Sequence, residues 1–385
     1  MNTNLTRTIA TLLLGASCSV TSLAAATAAP RPPNVVVIIS DDQGYADISF
    51  NPHHPKEVST PHLDALAREG VWFSQGYITG NVCSPTRAGL LTGRYQQRAG
   101  VYTAGEGGSG MAQSEKLFPR YLKPAGYVSG AYGKWHVGLT IEQSPVGRGF
   151  DEWYGFLGRG AHDYFDLAQK DPDTGPMYRN GKEIKDEGYL TTRLTEEAVA
   201  FIQRKKANPF FVYLAYNAVH SPAQAPAEDI ARYRKQFPGI TEARAILMAM
   251  LYHLDLGVGR VVDTLKKEGV WENTLLFFLT DNGGSKSMSA VNTPLRGFKQ
   301  QNYEGGIRTP FIVSWPAGFK GGRTIATPVT SLDILPTALE AAGVKADRPL
   351  DGRSLLPLLT GKTQRHIDTF YWSEGGAAGR SEEHT

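Results

Sequence analysis

Residues 35–39 of this 385-residue chain are five consecutive β-branched residues, and this run constrains the fold more than any other feature. An unbroken apolar run of this kind is typical of a strand that is covered on both faces. Further strand-like runs follow at 127–132, 210–216, 275–279 and 311–315, and helical patterns lie between them at 61–69, 190–206 and 241–268. This alternation predicts an α/β fold with a mixed, mostly parallel sheet flanked by helices.

Local signals mark the ends of the predicted helices. Thr60 is a candidate N-cap before a first-turn proline at Pro61, and Gly70 is a candidate C-cap. The pattern at 241–268 predicts one long helix, which Gly257 and Gly259 could bend or break. No apolar run after the N-terminal segment approaches the length of a transmembrane helix, so we expect no membrane partner.

Composition excludes some classes of function. Apolar residues make up 41% of the chain and charged residues 20%, which is ordinary for a soluble globular protein with one large α/β domain or two domains. The formal net charge of +3 is too small and too dispersed to predict nucleic-acid binding. Nothing in the sequence predicts an oligomeric state.

The first 29 residues have the features of a signal peptide. Arg7 supplies a positive charge, residues 9–16 a short apolar core, and residues 26–28 an A-x-A-like cleavage site. Cys18 lies in this segment, but the large aliphatic residue usual in a bacterial lipobox does not precede it. We therefore expect an exported protein, located in the bacterial periplasm or secreted.

The mature chain that this cleavage predicts has one cysteine, Cys83. A lone thiol cannot form an intramolecular disulfide, and an exposed free thiol is a liability in an oxidising compartment. The common alternative is a buried structural cysteine. The surrounding residues favour a chemical role, because Cys-Ser-Pro-Thr-Arg at 83–87 is followed by Leu-Thr-Gly-Arg at 91–94.

Polar side chains follow several of the predicted strands at the points where the strands end. These side chains are Asp41, Asp42, Lys134, His136, His220, Asp281 and Asn282. The carboxyl ends of parallel strands share one edge of a sheet, where the active-site crevice of such folds lies. Either acidic pair alone would be read as a cap or a solvated turn. Together the carboxylates and the amide form an all-oxygen set that suits a hard cation such as Ca²⁺ or Mg²⁺. Lys134 and His136 are spaced i, i+2, so an extended backbone would project both to one side.

The cysteine motif resembles the signature of type I, formylglycine-dependent sulfatases of the alkaline phosphatase superfamily. The resemblance extends from about residue 33 to about residue 374. It includes Gly-Lys-Trp-His at 133–136, His220 before Ser-Pro, and a second long signature at 295–310 that contains Lys299. It implies an alkaline-phosphatase-like fold with a smaller C-terminal subdomain. We expect a catalytic domain at 30–345 and the start of that subdomain at 346–379. Residues 380–385 resemble a translated sequencing adaptor, so we expect the subdomain to be incomplete.

The resemblance also implies the cofactors. In this family the cysteine is oxidised by a formylglycine-generating enzyme to an aldehyde, whose hydrate is the nucleophile. By this resemblance the ion is Ca²⁺, with Mg²⁺ a weaker alternative. Its ligands would be Asp41, Asp42, Asp281, Asn282 and the modified Cys83.

Roles for the other site residues follow from what sulfate-ester cleavage needs. Lys134, Lys299 and the metal would neutralise the sulfate so that a nucleophile can approach sulfur. The hydrate at residue 83, oriented by Arg87, would attack and form a covalent sulfated intermediate. His220 would protonate the leaving alcohol or phenol, and His136 would deprotonate the second hydroxyl as sulfate leaves.

Two other functions stay open at this point. A phosphonate or phosphate monoester hydrolase of the same superfamily could use the same groups. A chain whose Cys83 is not matured could instead bind sulfated ligands without turnover. The natural substrate is not readable from the sequence, and we expect a sulfated carbohydrate or an aryl sulfate. The aromatic insert at 141–187 could line a sugar pocket, although aromatic side chains at this density more often pack in a core.

Overall fold

The computed structural model describes Met1 and residues 31–107, 110–158, 160–168, 175–373 and 380–383. Its strands are β1 Asn34–Ser40, β2 Val71–Phe73, β3 Gly76–Tyr77, β4 Val128–Lys134, β5 Glu152–Phe156, β6 Met177–Arg179, β7 Lys182–Ile184, β8 Phe210–Ala215, β9 Thr274–Thr280, β10 Phe311–Ser314, β11 Arg323–Ile325, β12 Val329–Thr330, β13 Thr369–Trp372 and β14 Arg380–Glu383. Its α-helices are α1 Pro61–Glu69, α2 Cys83–Thr92, α3 Ala104–Gly107, α4 Phe118–Leu122, α5 Leu190–Lys205, α6 Ala227–Gln236, α7 Glu242–Lys267, α8 Glu304–Ile307, α9 Ile334–Ala341 and α10 Leu356–Leu359. The predicted signal peptide lies outside the described residues except for Met1.

One large sheet organises the part of the chain from residue 32 onward. Its strand order is β11-β2-β10-β9-β1-β8-β4-β5-β6-β7. The five central strands, from β9 to β5, run parallel, whereas β10 is antiparallel to both of its neighbours. The predicted mixed, mostly parallel sheet flanked by helices is confirmed.

The β-branched run forms β1 at the centre of this sheet, and helices cover both of its faces. Val36 and Ile38 pack in a core with residues of α5 and α7, whereas Val35, Val37 and Ile39 face a second core with residues of α2 and α9. All five side chains are completely buried. Burial of each contributes on the order of 1.5–3 kcal/mol. Double coverage therefore explains why the run has no polar alternation.

The N-terminus of α1 is capped differently from the sequence prediction. The Thr60 hydroxyl accepts a hydrogen bond from the Ser49 amide at 2.8 Å and makes no cap bond to α1. The first-turn amides of His62 and Leu63 instead donate to the buried carboxylate of Asp255, at 3.1 and 2.8 Å. The cap is a tertiary contact from α7, which no local motif reveals.

Helix α7 runs unbroken through Gly257 and Gly259, so these glycines do not break it. A Cβ at Gly257 would lie 2.4 Å from the Tyr216 hydroxyl, and one at Gly259 would lie 2.4 Å from the His62 ring. Close packing against neighbouring elements therefore explains both glycines.

Helix α7 is also long and apolar enough to span a membrane by length and composition, contrary to the sequence expectation. It is the one such helix among the described residues. However, 67% of its most apolar 18-residue window is buried inside the protein. Its apolar residues surround the helix because other elements cover it on most sides, as is typical of a core helix.

The segment after residue 345 packs on the second core. Leu358, Leu359, Phe370 and Trp372 are buried there, and β13 pairs with β14 in an antiparallel two-stranded sheet. The Trp372 indole donates to the Ile78 carbonyl at 2.6 Å. The domain boundaries and the origin of residues 380–385 stay predictions.

Candidate active site

Four neighbouring strands bring the predicted site residues to one edge of the sheet. In sheet order these strands are β9, β1, β8 and β4. The residues concerned are Asp281 and Asn282 after β9, Asp41 and Asp42 after β1, His220 after β8, and Lys134 and His136 at the end of β4. Because the strands are parallel, their carboxyl ends coincide, as in other open α/β sheets.

The buried carboxylate of Asp41 contacts three predicted site residues. Lys134 Nζ lies 2.5 Å from Asp41 Oδ2, and Arg87 Nη2 lies 3.5 Å from the same oxygen. The thiol of Cys83 lies 3.7 Å from Asp41 Oδ1. Burial alone would raise the pKa of Asp41, but Lys134 and His220 hold that pKa below its ordinary value. Asp41 is therefore ionised and is available as an oxygen ligand.

Asp42 forms the centre of a second set of contacts. Lys299 Nζ and Asn282 Nδ2 each lie 2.7 Å from Asp42 Oδ1, and His220 Nε2 lies 3.7 Å from Oδ2. Burial opposes ionisation, yet Lys299 and His220 lower the pKa of Asp42. Its backbone φ of 60° lies in the left-handed region, which aspartate tolerates better than most residues. Such strain is common at functional sites.

Cys83 is the first residue of α2, and Arg87 lies one turn further along the same face. Both side chains are buried. Arg87 donates to Asp281 and also to the Lys134 carbonyl at 3.0 Å. Burial raises the pKa of the Cys83 thiol to about 12, although Lys134 and Lys299 act in the opposite direction. Without an ion the thiol is protonated at neutral pH and is a poor nucleophile.

Four of these side chains form a candidate metal-binding cluster. Ligand atoms of Asp41, Asp42, Cys83 and His220 all lie within 4.8 Å of one another. Asn282 Oδ1 is buried and has no hydrogen-bond partner among the described residues. An acceptor without a donor suits a cation, and the other donors are mainly carboxylate oxygens, which hard divalent ions prefer. The residues present therefore fit a Ca²⁺ or Mg²⁺ ion.

Charge balance supports the same interpretation. The three carboxylates of Asp41, Asp42 and Asp281 are matched by three buried or mostly buried cations, Arg87, Lys134 and Lys299. The formal sum at the site is zero. A divalent cation would make it +2, which suits a bound anion.

His136 is placed differently from the extended geometry assumed for it. Strand β4 ends at Lys134, and His136 has a φ of 54°. Both ring nitrogens are buried without a hydrogen-bond partner among the described residues. Burial, together with the cations Lys134 and Arg87, holds the pKa of His136 well below its ordinary value. The imidazole is therefore neutral, as a general base must be.

His220 and Lys299 border an open cleft of about 310 Å³. The His220 Nδ1 lies 2.8 Å from the Ser221 carbonyl oxygen, so Nε2 is the nitrogen that lies toward Asp42. The other six residues that line this cleft were not predicted as site residues. These are Ser221, Ser285, Lys286, Ser287, Phe298 and Gln300. Three of them follow Asp-Asn-Gly-Gly within three residues, and this proximity was the signal available in the sequence.

Asn292 is another residue that the sequence prediction missed. Its Oδ1 accepts hydrogen bonds from the Tyr45 amide at 3.1 Å and the Gly284 amide at 3.0 Å. Its Nδ2 donates to the carbonyls of Gly284 and Gly297, at 3.2 and 3.1 Å. One buried amide thus joins the loops after β1 and β9 to the segment that carries Lys299.

Comparison with known proteins agrees with this geometry. A family model described as Sulfatase matches residues 33–344. The chain is 34% identical over 377 residues to N-acetylgalactosamine-6-sulfatase of Mus musculus, over 90% of this chain and 70% of that protein. A crystal structure of Ps i-CgsB in complex with k-i-k-neocarrahexaose aligns with a TM-score of 0.84 and 38% identity, over 91% of this chain and 82% of that one. Phosphonate monoester hydrolase of Agrobacterium radiobacter aligns with a TM-score of 0.63 and 21% identity, over 88% of this chain and 80% of that one, which shows the fold alone.

The fold and the buried cluster define a hydrolase with the alkaline-phosphatase-like architecture. The chain belongs to the sulfatase family. It is an enzyme that hydrolyses sulfate esters, and the resemblance stated from its motifs is confirmed at that level.

Proposed function

We propose that the protein hydrolyses sulfate monoesters of carbohydrates through a formylglycine formed from Cys83, with Ca²⁺ as the bound ion. The observation that carries this proposal is the position of Cys83. Its Sγ lies 3.7 Å from Asp41 Oδ1, inside a cluster of three carboxylates and three cations. An oxygen nucleophile at this position would attack a sulfate held by the same cations. Cleavage consumes one water and releases an alcohol and sulfate.

Each side chain has a role that its contacts support. Asp41, Asp42, Asp281 and Asn282 would hold the ion together with residue 83, and His220 also has a ligand atom within the cluster. When bound, the ion supplies positive charge that polarises the sulfate. Lys134 and Lys299 would bind the sulfate oxygens from positions where they now pair with Asp41 and Asp42. Arg87 keeps Asp281 oriented.

Two histidines would handle the protons. His220 lies at the cleft, with 15% of its side chain exposed, so it can reach the leaving oxygen of a substrate that enters from solvent. His136 is buried and neutral, so it would accept the proton from the second hydroxyl of the sulfated side chain at residue 83. That hydroxyl is what a plain cysteine or serine lacks. Its deprotonation would expel sulfate and re-form the aldehyde.

The carbohydrate assignment follows from the relatives. The mouse protein is named N-acetylgalactosamine-6-sulfatase, and the Ps i-CgsB structure is a complex with k-i-k-neocarrahexaose. The cleft of this chain carries three serine hydroxyls and the Gln300 amide, which are groups that bind sugar hydroxyls. A small aryl sulfate would be a surrogate substrate.

Maturation has a requirement that follows from burial. Cys83 is 2% exposed beneath the site. A formylglycine-generating enzyme would therefore need to act on the chain before the chain folds. Export to the periplasm or the medium stays a prediction that rests on the N-terminal segment. We propose no nucleic-acid or membrane partner.

The second candidate is phosphonate or phosphate monoester hydrolysis, and the fold shared with the Agrobacterium enzyme keeps it testable. A phosphate monoester carries nearly two negative charges where a sulfate monoester carries one. The test measures kcat/KM of one preparation of matured enzyme on 4-nitrophenyl sulfate, 4-nitrophenyl phosphate and 4-nitrophenyl phenylphosphonate. Higher kcat/KM on the sulfate supports the proposal, and higher kcat/KM on either phosphorus ester favours the alternative. Protein from its native host that binds sulfated ligands without turnover, and whose Cys83 is unmodified by mass spectrometry, would instead support a non-catalytic binder.

A further inference from the structure

We propose that Lys286 forms a subsite for a second anionic group on the substrate, either a carboxylate or another sulfate, beside the ester that is cleaved. This inference rests on the proposed function, because the cleft is taken as the route of the leaving group. Lys286 lines the same cleft as His220 and Lys299. On the proposed function, part of the substrate would pass along this cleft, so Lys286 lies where a second group on that substrate could be bound.

The charges around the cleft single out Lys286. Lys299 is paired with Asp42 at 2.7 Å, whereas the Lys286 ammonium has no ion pair or hydrogen bond within the described part of the chain. The solvated surface lysine is the ordinary alternative. A free cation beside a cleft that is proposed to bind one anionic ester would attract substrates that carry a second negative charge.

The loop that carries Lys286 is held in place on both sides. Met288 is 5% exposed, and its amide donates to the Ser285 carbonyl at 3.3 Å. The Ser289 amide donates to the Lys286 carbonyl at 3.0 Å, and Ser289 has a φ of 59°. The Ser285 and Ser287 hydroxyls are 2.9 Å apart. The tight turn therefore positions the Lys286 backbone.

Arg244 anchors the same loop from α7. It donates to the Ser289 carbonyl at 3.1 Å and pairs with Asp47 at 2.8 Å. Asp47 in turn accepts from the Val291 amide at 3.0 Å. A cation on a preorganised loop loses less conformational freedom when it binds an anion. This rigidity favours a recognition role over a freely solvated side chain.

The test uses three aryl sulfates with one meta substituent each. 3-Carboxyphenyl and 3-sulfophenyl sulfate carry the second anion, and 3-carbamoylphenyl sulfate is the neutral isostere. We expect the wild-type ratio of kcat/KM, anionic over neutral, to fall about three- to fivefold in Lys286→Met, as for an exposed ion pair. Lys286→Glu should lower this kcat/KM ratio further. About 0.5 M NaCl should remove the preference of the wild type for the anionic substrates. Lys235→Met, which removes an exposed cation from α6, is the matched control.

If only 3-carboxyphenyl sulfate is preferred over the neutral substrate, the second anionic group is a uronate-like carboxylate. If only 3-sulfophenyl sulfate is preferred, the second anionic group is a neighbouring sulfate. The subsite would be overturned if Lys286→Met left the anionic-over-neutral ratio of kcat/KM unchanged. It would also be overturned if Lys286→Met lowered kcat/KM equally on all three substrates. Binding of 3-carboxy- and 3-carbamoylbenzenesulfonate to the Cys83→Ala protein separates this result from failure of the proposed function. If turnover is absent but the affinity ratio depends on Lys286, the subsite stands and the proposed function fails. An affinity ratio that is the same in Cys83→Ala and Cys83→Ala/Lys286→Met would overturn the subsite whatever the turnover.

Discussion

Arg87 donates from both Nε and Nη2 to a single carboxylate oxygen of Asp281, at 3.0 and 2.8 Å, and neither side chain is exposed to solvent. The contact joins the helix that begins at Cys83 to the strand that ends before Asp281 and Asn282. It therefore fixes the distance between the proposed nucleophile and two of the proposed metal ligands. A buried charge pair of this kind is sensitive to the loss of one partner.

We predict that Arg87→Met destabilises the protein by about 3–5 kcal/mol, because it leaves the Asp281 carboxylate buried without its partner. Arg98→Met is the matched control, since Arg98 pairs with Asp351 at the surface and is 54% exposed. Loss of that pair should cost about 1 kcal/mol or less. Urea unfolding followed by circular dichroism measures both. An equal decrease in the free energy of unfolding for the two variants would contradict the structural role of the Arg87 contact.

Removal of the metal should lower both activity and stability. An ion that binds only the folded state stabilises it by roughly 3 kcal/mol at a concentration one hundred times its Kd. We expect Ca²⁺ to raise the melting temperature of chelator-treated enzyme and to restore turnover. Asp42→Asn should abolish the Ca²⁺-dependent shift, whereas Asp263→Asn, on the far part of α7, should keep it. A metal-free preparation with full activity by elemental analysis would disprove the metal assignment.

The two histidines should differ in their dependence on the leaving group. If His220 protonates the leaving oxygen, His220→Ala should reduce turnover of sugar sulfates about 10²- to 10⁴-fold but spare 4-nitrophenyl sulfate, whose leaving group departs as a stable anion. If His136 deprotonates the second hydroxyl, His136→Ala should slow all substrates alike and let sulfated enzyme accumulate. A leaving-group series with mass spectrometry of quenched enzyme measures both effects. Uniform losses for His220→Ala, with no sulfated adduct in His136→Ala, would mean that these roles are wrong.

Asp255 gives the fold a pH dependence that is separate from the active site. Burial raises its pKa from 3.8 to about 6, although the amides of Leu63 and His62 act in the opposite direction. The folded state therefore binds more protons than the unfolded state between these values, and stability falls as pH rises from about 4 to 6. Relative to Asp255→Asn, which does not titrate, the wild type should lose on the order of 3 kcal/mol across this window and stay level above it. His62 and Asp64 lie near this carboxylate and contribute to its titration. A stability difference between the two proteins that is constant with pH would contradict the raised pKa.

The parts of this structure that periodicity determines could be predicted from the sequence. The β-branched run became β1, and the strand ends placed Asp41, Asp42, Asp281 and Asn282 at one edge, because parallel strands share their carboxyl ends. Contacts between distant residues could not be predicted. Asp255 caps a helix that begins 194 positions earlier, at Pro61, and no local pattern reports that contact.

Within the site, too, contacts and backbone geometry that depend on the fold could not be predicted from the sequence. Asn292 carries no motif of its own, and only the folded loops bring its side chain to Gly284. Lys286 closely follows Asp-Asn-Gly-Gly in the sequence, but only the fold shows that it lines the same cleft as His220 and Lys299. His136 is a predicted site residue, but its left-handed backbone is not predictable from the motif, since it depends on how the chain leaves β4. Which residues share one edge of the sheet was therefore easier to predict than the backbone geometry at each of them.

The most direct test of the account relates turnover to the state of residue 83. Preparations made with increasing amounts of a formylglycine-generating enzyme are digested with a protease. The mass of the peptide that contains residue 83 is then measured by mass spectrometry. Formylglycine is about 18 Da lighter than cysteine. Because its hydrate is nearly isobaric with the thiol, iodoacetamide is used to label only the unconverted cysteine. The account predicts that kcat on 4-nitrophenyl sulfate rises in proportion to the aldehyde fraction and extrapolates to zero without it. Full turnover by protein that carries only cysteine at position 83, or none by fully converted protein supplied with Ca²⁺, would contradict it.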